Sequence, residues 1–385
     1  MSRPVHALVL PPGQRLYQAL EDALAGGGAA ICPLSPGLPR PALDAALAAL
    51  RPAQVITAGG AEPYGRPVPA DDGTAVLIAT SGSTGTPKIV ELSADALRHS
   101  AGATLRRLGA AAGARWLCCL PTSHIAGVQV LVRSLVAGTA PVIHERFDPA
   151  AVAGCGGCHL AVVPTQLRRL VDAGADLSKF PAILLGGAAA PGGLVAAARA
   201  RGGRIIITYG MSETSGGCVY DGVPLDGVSA DVAADGRIRL AGPVLFSGYR
   251  LRPDLTAAVR RGRWFVTEDL GIIDAGGVLR VLGRTGDVIN TGGEKVVAGE
   301  VERALAAHPA VRDVVVVGRP DPEWGERVTA VVVPAGAAPT LAQLRAWART
   351  RLPACAAPRE LSLVEAIPLL PSGKPDRARL RGREQ

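Results

Sequence analysis

The stretch Ala75-Val-Leu-Ile-Ala-Thr-Ser-Gly-Ser-Thr-Gly-Thr-Pro-Lys88 joins a short apolar run to a loop that is rich in hydroxyl groups. The run Ala75–Ala79 predicts a buried strand, because it is continuously apolar and is bounded by turn residues. The loop from Thr80 to Lys88 holds five hydroxyl side chains and two glycines. Glycines let backbone N–H groups turn toward an anion, and hydroxyls add donors without bulk. The stretch therefore predicts a phosphate-binding loop at the end of a strand.

The residues around Lys88 argue against a Walker A loop. That motif needs glycine directly before its lysine and serine or threonine directly after it. Here Pro87 precedes Lys88 and Ile89 follows it. A P-loop nucleotidase is therefore disfavoured.

From about residue 74 to residue 208, short apolar runs alternate with segments of helical periodicity. Strands are predicted at residues 75–79, 116–120, 141–144, 160–163, 182–185 and 204–208, and helices begin at Ser93, at His124 and near Thr165 and Pro191. This alternation predicts α/β architecture with a mainly parallel sheet. Beyond residue 209, turns of glycine and aspartate separate short strands such as 236–240 and 278–282, which predicts a β-ribbon or barrel part.

A small α+β unit is predicted after residue 284. Val297, Val301 and Leu305 mark one helix, strands follow at 314–317 and 328–333, and Thr340 with Gln343 forms a capping box. We therefore expect a large N-terminal domain over residues 1–284 and a small, mobile C-terminal domain over residues 285–385.

The composition fits a folded protein that handles small anions. Of its 385 residues, 48% are hydrophobic, and 41 Lys and Arg against 33 Asp and Glu give a net charge of +8. The basic residues are diffuse and aromatic residues are scarce, which favours nucleotide phosphates over nucleic acid as partners. The sequence shows neither an apolar run of about 18 residues nor a secretion signal. We therefore expect no stable membrane insertion and a cytoplasmic location.

One cysteine motif resembles a cofactor site. The segment Cys155-Gly-Gly-Cys158-His159 has the form of a c-type haem attachment site. It also fits an ordinary loop before the apolar strand at 160–163. Because an export signal is absent and the seven cysteines are scattered, we expect free thiols, no haem and a structural role for this segment.

Six motifs follow one another in a specific order. They are Thr80–Lys88, Tyr209-Gly-Met-Ser-Glu213, Thr267-Glu-Asp-Leu-Gly271, Gly283-Arg-Thr-Gly-Asp287, Gly292-Gly-Glu-Lys295 and Pro371-Ser-Gly-Lys374. Together they resemble the adenylate-forming superfamily, which includes acyl-CoA synthetases, luciferases and peptide-synthetase adenylation domains. The agreement covers roughly three-quarters of the chain, and six motifs in order are far more specific than any single one.

The resemblance implies which residues hold the nucleotide. ATP and its phosphates are assigned to Thr80, Ser81, Gly82, Ser83, Thr84, Gly85, Thr86 and Lys88. Adenine and ribose are assigned to Gly187, Tyr209, Gly210, Met211, Ser212, Asp269 and Arg284. Glu213 is assigned to Mg²⁺ bound to ATP phosphates, which suits a carboxylate. In isolation, Asp269 and Arg284 could equally form a structural ion pair, and Tyr209 could be a core residue.

The resemblance also implies a reaction in two steps. A small-molecule carboxylic acid attacks the α-phosphorus of ATP and expels pyrophosphate, and the thiol of CoA then displaces AMP from the acyl-adenylate. Lys374 would stabilise the charge of the first transition state. Gly286 and Asp287 mark the hinge about which the small domain rotates, and Gly286 replaces a residue that is often polar in the family. Gly292, Gly293 and Lys295 are assigned to CoA.

Three further stretches resemble the o-succinylbenzoate–CoA ligase branch of menaquinone biosynthesis. They are Leu120-Pro-Thr-Ser-His-Ile-Ala-Gly127, Val163-Pro-Thr-Gln-Leu167 and Leu184-Leu-Gly-Gly-Ala-Ala-Ala-Pro191. Only 79 residues precede Thr80, fewer than in typical acyl-CoA synthetases, so part of the usual first subdomain is expected to be missing. The family resemblance implies that His124 borders the acyl pocket and the thiol tunnel. The acyl substrate is assigned to Gln129, Arg133, Thr165 and Gly186.

Some alternatives stay open at this point. Arg133 lies in an otherwise apolar helix, so it is paired, reaches solvent or binds the second carboxylate of the substrate. His124 could be an ordinary core histidine. Another carboxylic acid, or a carrier protein in place of CoA, would keep almost every motif. The resemblance also leaves a homodimer open.

Overall fold

The computed structural model describes residues 2–80, 87–370 and 375–382. The chain divides into two compact units. The larger unit comprises Met1–Gly187, Ala198–Ala230 and Leu240–Phe265, and the smaller comprises Ala188–Ala197, Asp231–Arg239 and Val266–Gln385. The domain boundary that the sequence places at residues 284/285 stays a prediction.

The first sheet of the larger unit has seven strands. Their order is Gly248–Tyr249, Lys88–Ser93, Thr74–Thr80, Ala30–Leu34, Val5–Val9, Gln54–Thr57 and Gly60–Pro63. Val5–Val9 runs parallel to both Ala30–Leu34 and Gln54–Thr57, and Ala30–Leu34 also runs parallel to Thr74–Thr80. Lys88–Ser93 runs antiparallel to Thr74–Thr80. Helices Gln14–Leu24 and Arg40–Leu50 alternate with these strands, and Ser2–Arg3 pairs with Ala70–Asp71. Residues 2–71 thus contribute strands and helices that the sequence patterns did not predict.

The second sheet also has seven strands. Their order is Val142–Ile143, Trp116–Cys118, His159–Val162, Ile183–Leu185, Ile205–Met211, Gly216–Tyr220 and Val223–Pro224. The first five are parallel and the last two are antiparallel. The intervening helices are Ala94–Leu108, Ile125–Val136, Pro149–Ala153, Pro164–Asp172 and Gly192–Ala200, with a 3-10 turn at Leu177–Lys179. The predicted alternation is present, but the strand at 74–80 belongs to the first sheet and not to this one.

Local chemistry explains where the helix after the phosphate loop begins and ends. The Ser93 side chain accepts a hydrogen bond from Ala96 N–H at the start of Ala94–Leu108, and Gly109 ends the helix in the left-handed conformation at φ 64°. Leu97 and Ala101, which the helical periodicity places on one face, are fully buried in the core of the unit.

The remaining strands form two further sheets. Ser229–Val232, Arg237–Ala241, Trp264–Ile273 and Arg260–Arg261 form one, and Leu279–Arg284 pairs with Trp264–Ile273. Glu294–Val297, Val288–Thr291, Gly325–Pro334 and Val311–Asp321 form the other, with Glu360–Leu363 parallel to Gly325–Pro334. The other elements of the described residues are helices Pro253–Val259, Ala298–Ala306, Leu341–Arg349 and Arg377–Arg381 and 3-10 turns Ser212–Thr214, Thr285–Asp287 and Ala354–Ala356.

The smaller unit has its own core. Val301 and Leu305 of the helix Ala298–Ala306 are fully buried against the valines of the strand pair formed by Val311–Asp321 and Gly325–Pro334. The predicted capping box forms, since Thr340 Oγ1 accepts from Gln343 N–H while Gln343 Oε1 accepts from Thr340 N–H.

The fold class is confirmed as mixed α/β, with a large sheet-rich N-terminal part and a smaller C-terminal part. Within residues 2–80, 87–370 and 375–382, none of the helices combines the length and the apolar character that crossing a bilayer requires.

Candidate active site

The carboxyl ends of the parallel strands in the second sheet gather most of the predicted acyl and adenine segments. Trp116–Cys118 leads to the segment of His124, His159–Val162 leads to Thr165, Ile183–Leu185 leads to Gly186, and Ile205–Met211 contains Tyr209. Ligands of α/β proteins bind at this edge, because the loops that follow parallel strands meet there. The structure therefore brings these predicted residues to one edge of one sheet.

Thr80 and Lys88 frame the predicted phosphate loop. They face each other across antiparallel strands, and Thr80 Oγ1 donates to the carbonyl oxygen of Lys88 at 3.1 Å. The Nζ atom of Lys88 lies 5.4 Å from the centroid of the Tyr249 ring. Ser81, Gly82, Ser83, Thr84, Gly85 and Thr86 lie outside the described residues, as does Lys374.

Glu213 lies in the 3-10 turn Ser212–Thr214 that follows the last parallel strand. Its Oε1 atom accepts a hydrogen bond of 2.8 Å from the Tyr249 hydroxyl, and its carbonyl oxygen accepts one of 2.8 Å from Phe246 N–H. The buried Thr214 hydroxyl fixes the turn by accepting from Met211 N–H at 2.9 Å. Hydrogen bonds therefore hold both the side chain and the backbone of Glu213 in place.

Close packing requires two glycines of the predicted site, Gly210 of the adenine set and Gly186 of the acyl set. A Cβ atom on Gly210 would lie 2.1 Å from the carbonyl oxygen of Gly216, in the antiparallel partner strand. A Cβ atom on Gly186 would lie 2.3 Å from Thr208 Oγ1. Gly187 has a φ of 82°, which a residue with a side chain rarely adopts. Tyr209 is half-buried on the strand beside Gly210.

Two candidates for the acyl pocket lie on the first half of the helix Ile125–Val136. His124 is the exposed N-cap residue of this helix. Gln129 is fully buried one turn further along, close to Gly216, and its amide donates to the Leu97 carbonyl at 3.4 Å. Its Oε1 atom is buried without a hydrogen-bond partner among the described residues. Gln129 therefore packs beside the hairpin that carries Glu213.

Arg133 lies at the other end of the same helix. At 1.5 Å per residue it is about 13 Å along the axis from His124. It is 4% exposed and stacks on Trp116, with 5.0 Å between its guanidinium carbon and the ring centroid. No described carboxylate pairs with it, its Nε atom is buried without a described hydrogen-bond partner, and burial lowers its pKa. Arg133 therefore neither forms an ion pair with a described residue nor reaches solvent, and the structure does not bring it together with His124.

In the smaller unit, the two predicted ribose residues bind each other. Asp269 and Arg284 face each other across antiparallel strands, with Asp269 Oδ1 2.9 Å from Arg284 Nε. The Asp269 side chain is 12% exposed and that of Arg284 is 59% exposed. Asp269 N–H donates to Thr267 Oγ1 at 3.0 Å, so the backbone that carries this carboxylate is also fixed. The ion pair that the sequence left open is therefore present.

The predicted hinge residues are held by arginines of the last described helix. Asp287 lies within 3.3 Å of both Arg377 and Arg381, and the carbonyl oxygen of Gly286 accepts from Arg381 at 3.0 Å. Gly286 lies in the 3-10 turn Thr285–Asp287, and its φ lies outside the left-handed region. Hydrogen bonds thus hold this turn although a polar side chain is missing at Gly286.

The residues predicted to bind CoA form a tight turn. Gly292 and Gly293 have φ of 61° and 82° and join strands Val288–Thr291 and Glu294–Val297. A Cβ atom on Gly292 would lie 2.7 Å from the Trp324 ring. Lys295 is exposed on the second of these strands.

Sequence reasoning did not identify Tyr249, which contacts both Lys88 and Glu213. It lies in a strand of two residues that pairs with Lys88–Ser93, and no motif or periodicity marks so short a strand. The sequence feature that could have pointed to this residue is an aromatic side chain directly after a glycine, in a short segment between two turns.

The segment that resembles a haem attachment site packs into the larger unit. Cys158 is fully buried, and the buried His159 ring stacks on Trp116 with 5.0 Å between centroids. Cys155 is half-buried, and its Sγ atom lies 3.6 Å from Nε2 of His144.

We expect two of the seven cysteines to react with iodoacetamide in the native protein at pH 8. Burial raises the pKa of Cys32, Cys118, Cys119 and Cys218 to about 12 and raises that of the buried Cys158, so these groups stay protonated thiols. The half-buried Cys155 and Cys355 should be alkylated. Peptide mass spectrometry reports each site, and labelling in urea should modify all seven. Rapid native alkylation of Cys118 or Cys119 would contradict the buried core around them.

Two family models match the chain. The model described as AMP-binding enzyme matches residues 57–250, and the model described as AMP-binding enzyme C-terminal domain matches residues 300–374.

Two relatives illustrate the similarity in sequence. The chain is 46% identical over 328 residues to a probable 2-succinylbenzoate–CoA ligase of Mycobacterium tuberculosis, covering 80% of this chain and 84% of that protein. It is 34% identical over 405 residues to a feruloyl-CoA synthase of Amycolatopsis, covering 96% of this chain and 82% of that protein.

The fold is similar to that of o-succinylbenzoate CoA synthetase (MenE) from Bacillus subtilis. The structure of that protein with its acyl-adenylate intermediate OSB-AMP has a TM-score of 0.85 and 26% identity, covering 99% of this chain and 89% of that one. Its structure with ATP and a magnesium ion has a TM-score of 0.83, again at 26% identity, and covers 98% of this chain and 89% of that one.

Proposed function

This chain belongs to the AMP-binding enzyme family, and from that premise we propose that it is an AMP-forming acid–CoA ligase. Its substrates are 2-succinylbenzoate, ATP and CoA, and its products are 2-succinylbenzoyl-CoA, AMP and diphosphate. The identity of 46% to the mycobacterial ligase over most of both chains supports this acid. The alternatives, another acid or a carrier protein as acceptor, are less favoured, because the feruloyl-CoA synthase is 34% identical against 46% for the mycobacterial ligase and both relatives are named for CoA.

One structural observation carries the proposal. Lys88, beside the predicted phosphate loop, and Glu213, after the last parallel strand of the other sheet, both contact Tyr249. A cation and a carboxylate close to the carboxyl ends of parallel strands are what a magnesium complex of a nucleotide requires. This geometry supports a site for Mg·ATP.

In the first half-reaction, an oxygen of the substrate carboxylate forms a bond to the α-phosphorus, and the bond from that phosphorus to the bridging oxygen breaks. Pyrophosphate leaves with the bonding electrons. Lys88 and Lys374 are proposed to stabilise the negative charge on the phosphoryl oxygens, which is where most of the catalysis of phosphoryl transfer originates. Magnesium, when bound with ATP, neutralises charge on pyrophosphate.

Glu213 suits the magnesium ion chemically. Mg²⁺ is usually held by one or two carboxylates together with substrate phosphates and water. The half-buried Glu213 accepts the Tyr249 hydroxyl at Oε1, and Oε2 accepts no hydrogen bond from a described residue. An oxygen is thus left to accept a ligand.

In the second half-reaction, the sulfur of CoA attacks the carbonyl carbon of the acyl-adenylate. The carbon–oxygen bond to AMP breaks, and the thiol proton passes to solvent. His124 is proposed to act at this step, since it is exposed at the start of a helix on the same edge of the sheet. Gln129, Thr165 and Gly186 are proposed to line the acyl pocket, whereas the position of Arg133 gives no support to a substrate role.

We expect 2-succinylbenzoate to be the best acid by a wide margin. A site that binds the second carboxylate through polar groups rejects an analogue without that carboxylate by roughly 10⁴ in kcat/KM. The measurement is pyrophosphate release with 2-succinylbenzoate, ferulate, a fatty acid and benzoylpropionate, which lacks the ring carboxylate. Thioester formation with purified CoA then separates a ligase from an enzyme that loads a carrier protein. Similar kcat/KM for 2-succinylbenzoate and benzoylpropionate would contradict the proposed substrate.

A further inference from the structure

We propose that Tyr249 is a positioning residue that holds the Glu213 carboxylate for magnesium and keeps Lys88 away from that carboxylate. This inference rests on the proposed function, because it assigns Tyr249 a role in binding Mg·ATP.

The Tyr249 side chain is fixed on several sides. It is 7% exposed, and its ring lies 5.0 Å from that of Phe246 between centroids. Its strand pairs with Lys88–Ser93, and its backbone N–H donates to Thr256 Oγ1 at 2.9 Å. A side chain whose rotamer is locked by packing presents its hydroxyl at one place, which is what positioning a second group requires.

The hydroxyl orients Glu213 without cancelling its charge. Its 2.8 Å hydrogen bond uses Oε1 and brings no positive charge to the carboxylate. An arginine or lysine in this position would neutralise the carboxylate and compete with a cation for it. A phenol provides direction alone, so the negative charge stays available for a metal ion.

The ring separates two groups of opposite charge. Lys88 Nζ lies over the ring at 5.4 Å from its centroid, a distance at which a cation is attracted to the aromatic face. Among the described residues no ion pair joins Lys88 to Glu213, although both contact Tyr249. Each charge is therefore left to act on the nucleotide, the ammonium on a phosphate and the carboxylate on magnesium.

The backbone of the Glu213 turn does not depend on this hydroxyl. Phe246 N–H donates to the Glu213 carbonyl, and Thr214 fixes the turn from within. A Tyr249→Phe variant should therefore keep both the turn and the ring beneath Lys88, and lose only the hydrogen bond to the carboxylate.

The test compares Tyr249→Phe with Tyr220→Phe. The control removes a phenol hydroxyl that is also buried in the same unit but bonds to Thr104 Oγ1, at 2.9 Å, instead of to Glu213. Equilibrium binding of ATP is measured with magnesium and with EDTA, together with the melting temperature. Because a hydrogen bond to a charged group is involved, we expect Tyr249→Phe to weaken Mg·ATP binding roughly ten- to a hundredfold. Binding of ATP in EDTA should change less than twofold, and Tyr220→Phe should change neither.

Two further variants test the two parts of the inference separately. In a Glu213→Gln background, Tyr249→Phe should cost no additional Mg·ATP affinity, because the group that it positions is already neutral. Tyr249→Leu also removes the ring, so it should weaken ATP binding in EDTA as well. Equal losses with magnesium and with EDTA in Tyr249→Phe, or full additivity with Glu213→Gln, would overturn the inference.

The outcomes distinguish this inference from the proposed function. If the wild type releases pyrophosphate and forms the thioester while Tyr249→Phe responds to magnesium as the wild type does, the inference alone fails. If the magnesium-specific loss appears but no acid supports pyrophosphate release, the positioning role stands and the proposed reaction fails.

Discussion

Replacing Lys374 with alanine is expected to slow acyl-adenylate formation on the order of a hundred- to a thousandfold, the usual cost of removing one charge that stabilises a transition state. Thioester formation from chemically supplied acyl-adenylate should be nearly unchanged. The reason is that charge develops on the α-phosphoryl group only while pyrophosphate leaves. In the second step the leaving group is AMP, and the attack takes place at a carbonyl carbon.

The two half-reactions are measured separately, by pyrophosphate release without CoA and by thioester formation from purified acyl-adenylate. Lys179→Ala is the matched control, since it removes an exposed lysine in a 3-10 turn that carries no predicted site residue. It should leave both rates within twofold. An equal slowing of both half-reactions in Lys374→Ala would show that the lysine does not serve the first step alone.

Local patterns in the sequence were enough to predict most elements of the second sheet. The helix that begins after Ser93 and the capping box at Thr340 depend on hydrogen bonds within four residues of one another. Each strand of the parallel series is a short apolar run, because both faces of such a sheet are covered. Such features depend on residues that are close along the chain, so they can be predicted without knowledge of the tertiary contacts.

The pairing of strands could not be predicted in the same way. Thr74–Thr80 pairs with Ala30–Leu34 and Lys88–Ser93, while the similar apolar run at Trp116–Cys118 starts the second sheet. Neither run contains a residue pattern that indicates which sheet it joins, since both are mainly apolar. The choice is made by packing between segments that are distant along the chain.

In the candidate site, too, residues in local motifs could be predicted, whereas contacts between distant segments could not. Glu213 and Lys88 were predicted as site residues because they belong to motifs. Tyr249 was not, because its contacts with them arise only where a two-residue strand meets Lys88–Ser93. Arg133, whose charge in an apolar helix suggested a substrate role, stacks on Trp116, and the substrate role stays a prediction. Its stacking on Trp116 depends on which end of the helix faces that ring.

The second large effect is expected for the stability of the smaller unit. Arg377→Met should lower the free energy of unfolding by about 2–4 kcal/mol, somewhat less than for a completely buried ion pair. Arg377 donates to Glu302 at 2.6 Å and to the Val316 carbonyl at 2.7 Å, and the Glu302 and Arg377 side chains are only 15% and 24% exposed. The variant leaves the Glu302 carboxylate largely buried without its cation. Urea unfolding monitored by circular dichroism measures the loss.

The loss should also depend on pH in a definite direction. Burial raises the pKa of Glu302, and Arg377 opposes that rise, so the pKa in the folded variant rises further. The extra cost is absent where Glu302 is protonated in both the folded and the unfolded state, and it grows as pH rises from the unfolded pKa to the raised folded pKa. The difference from wild type should therefore be smaller at pH 5 than at pH 8. Arg379→Met, which removes an exposed arginine from the same helix, should change stability by less than about 0.5 kcal/mol. Adding Glu302→Gln to Arg377→Met should recover part of the loss at pH 8, and a loss that is equal at both pH values would contradict the unpaired carboxylate as its cause.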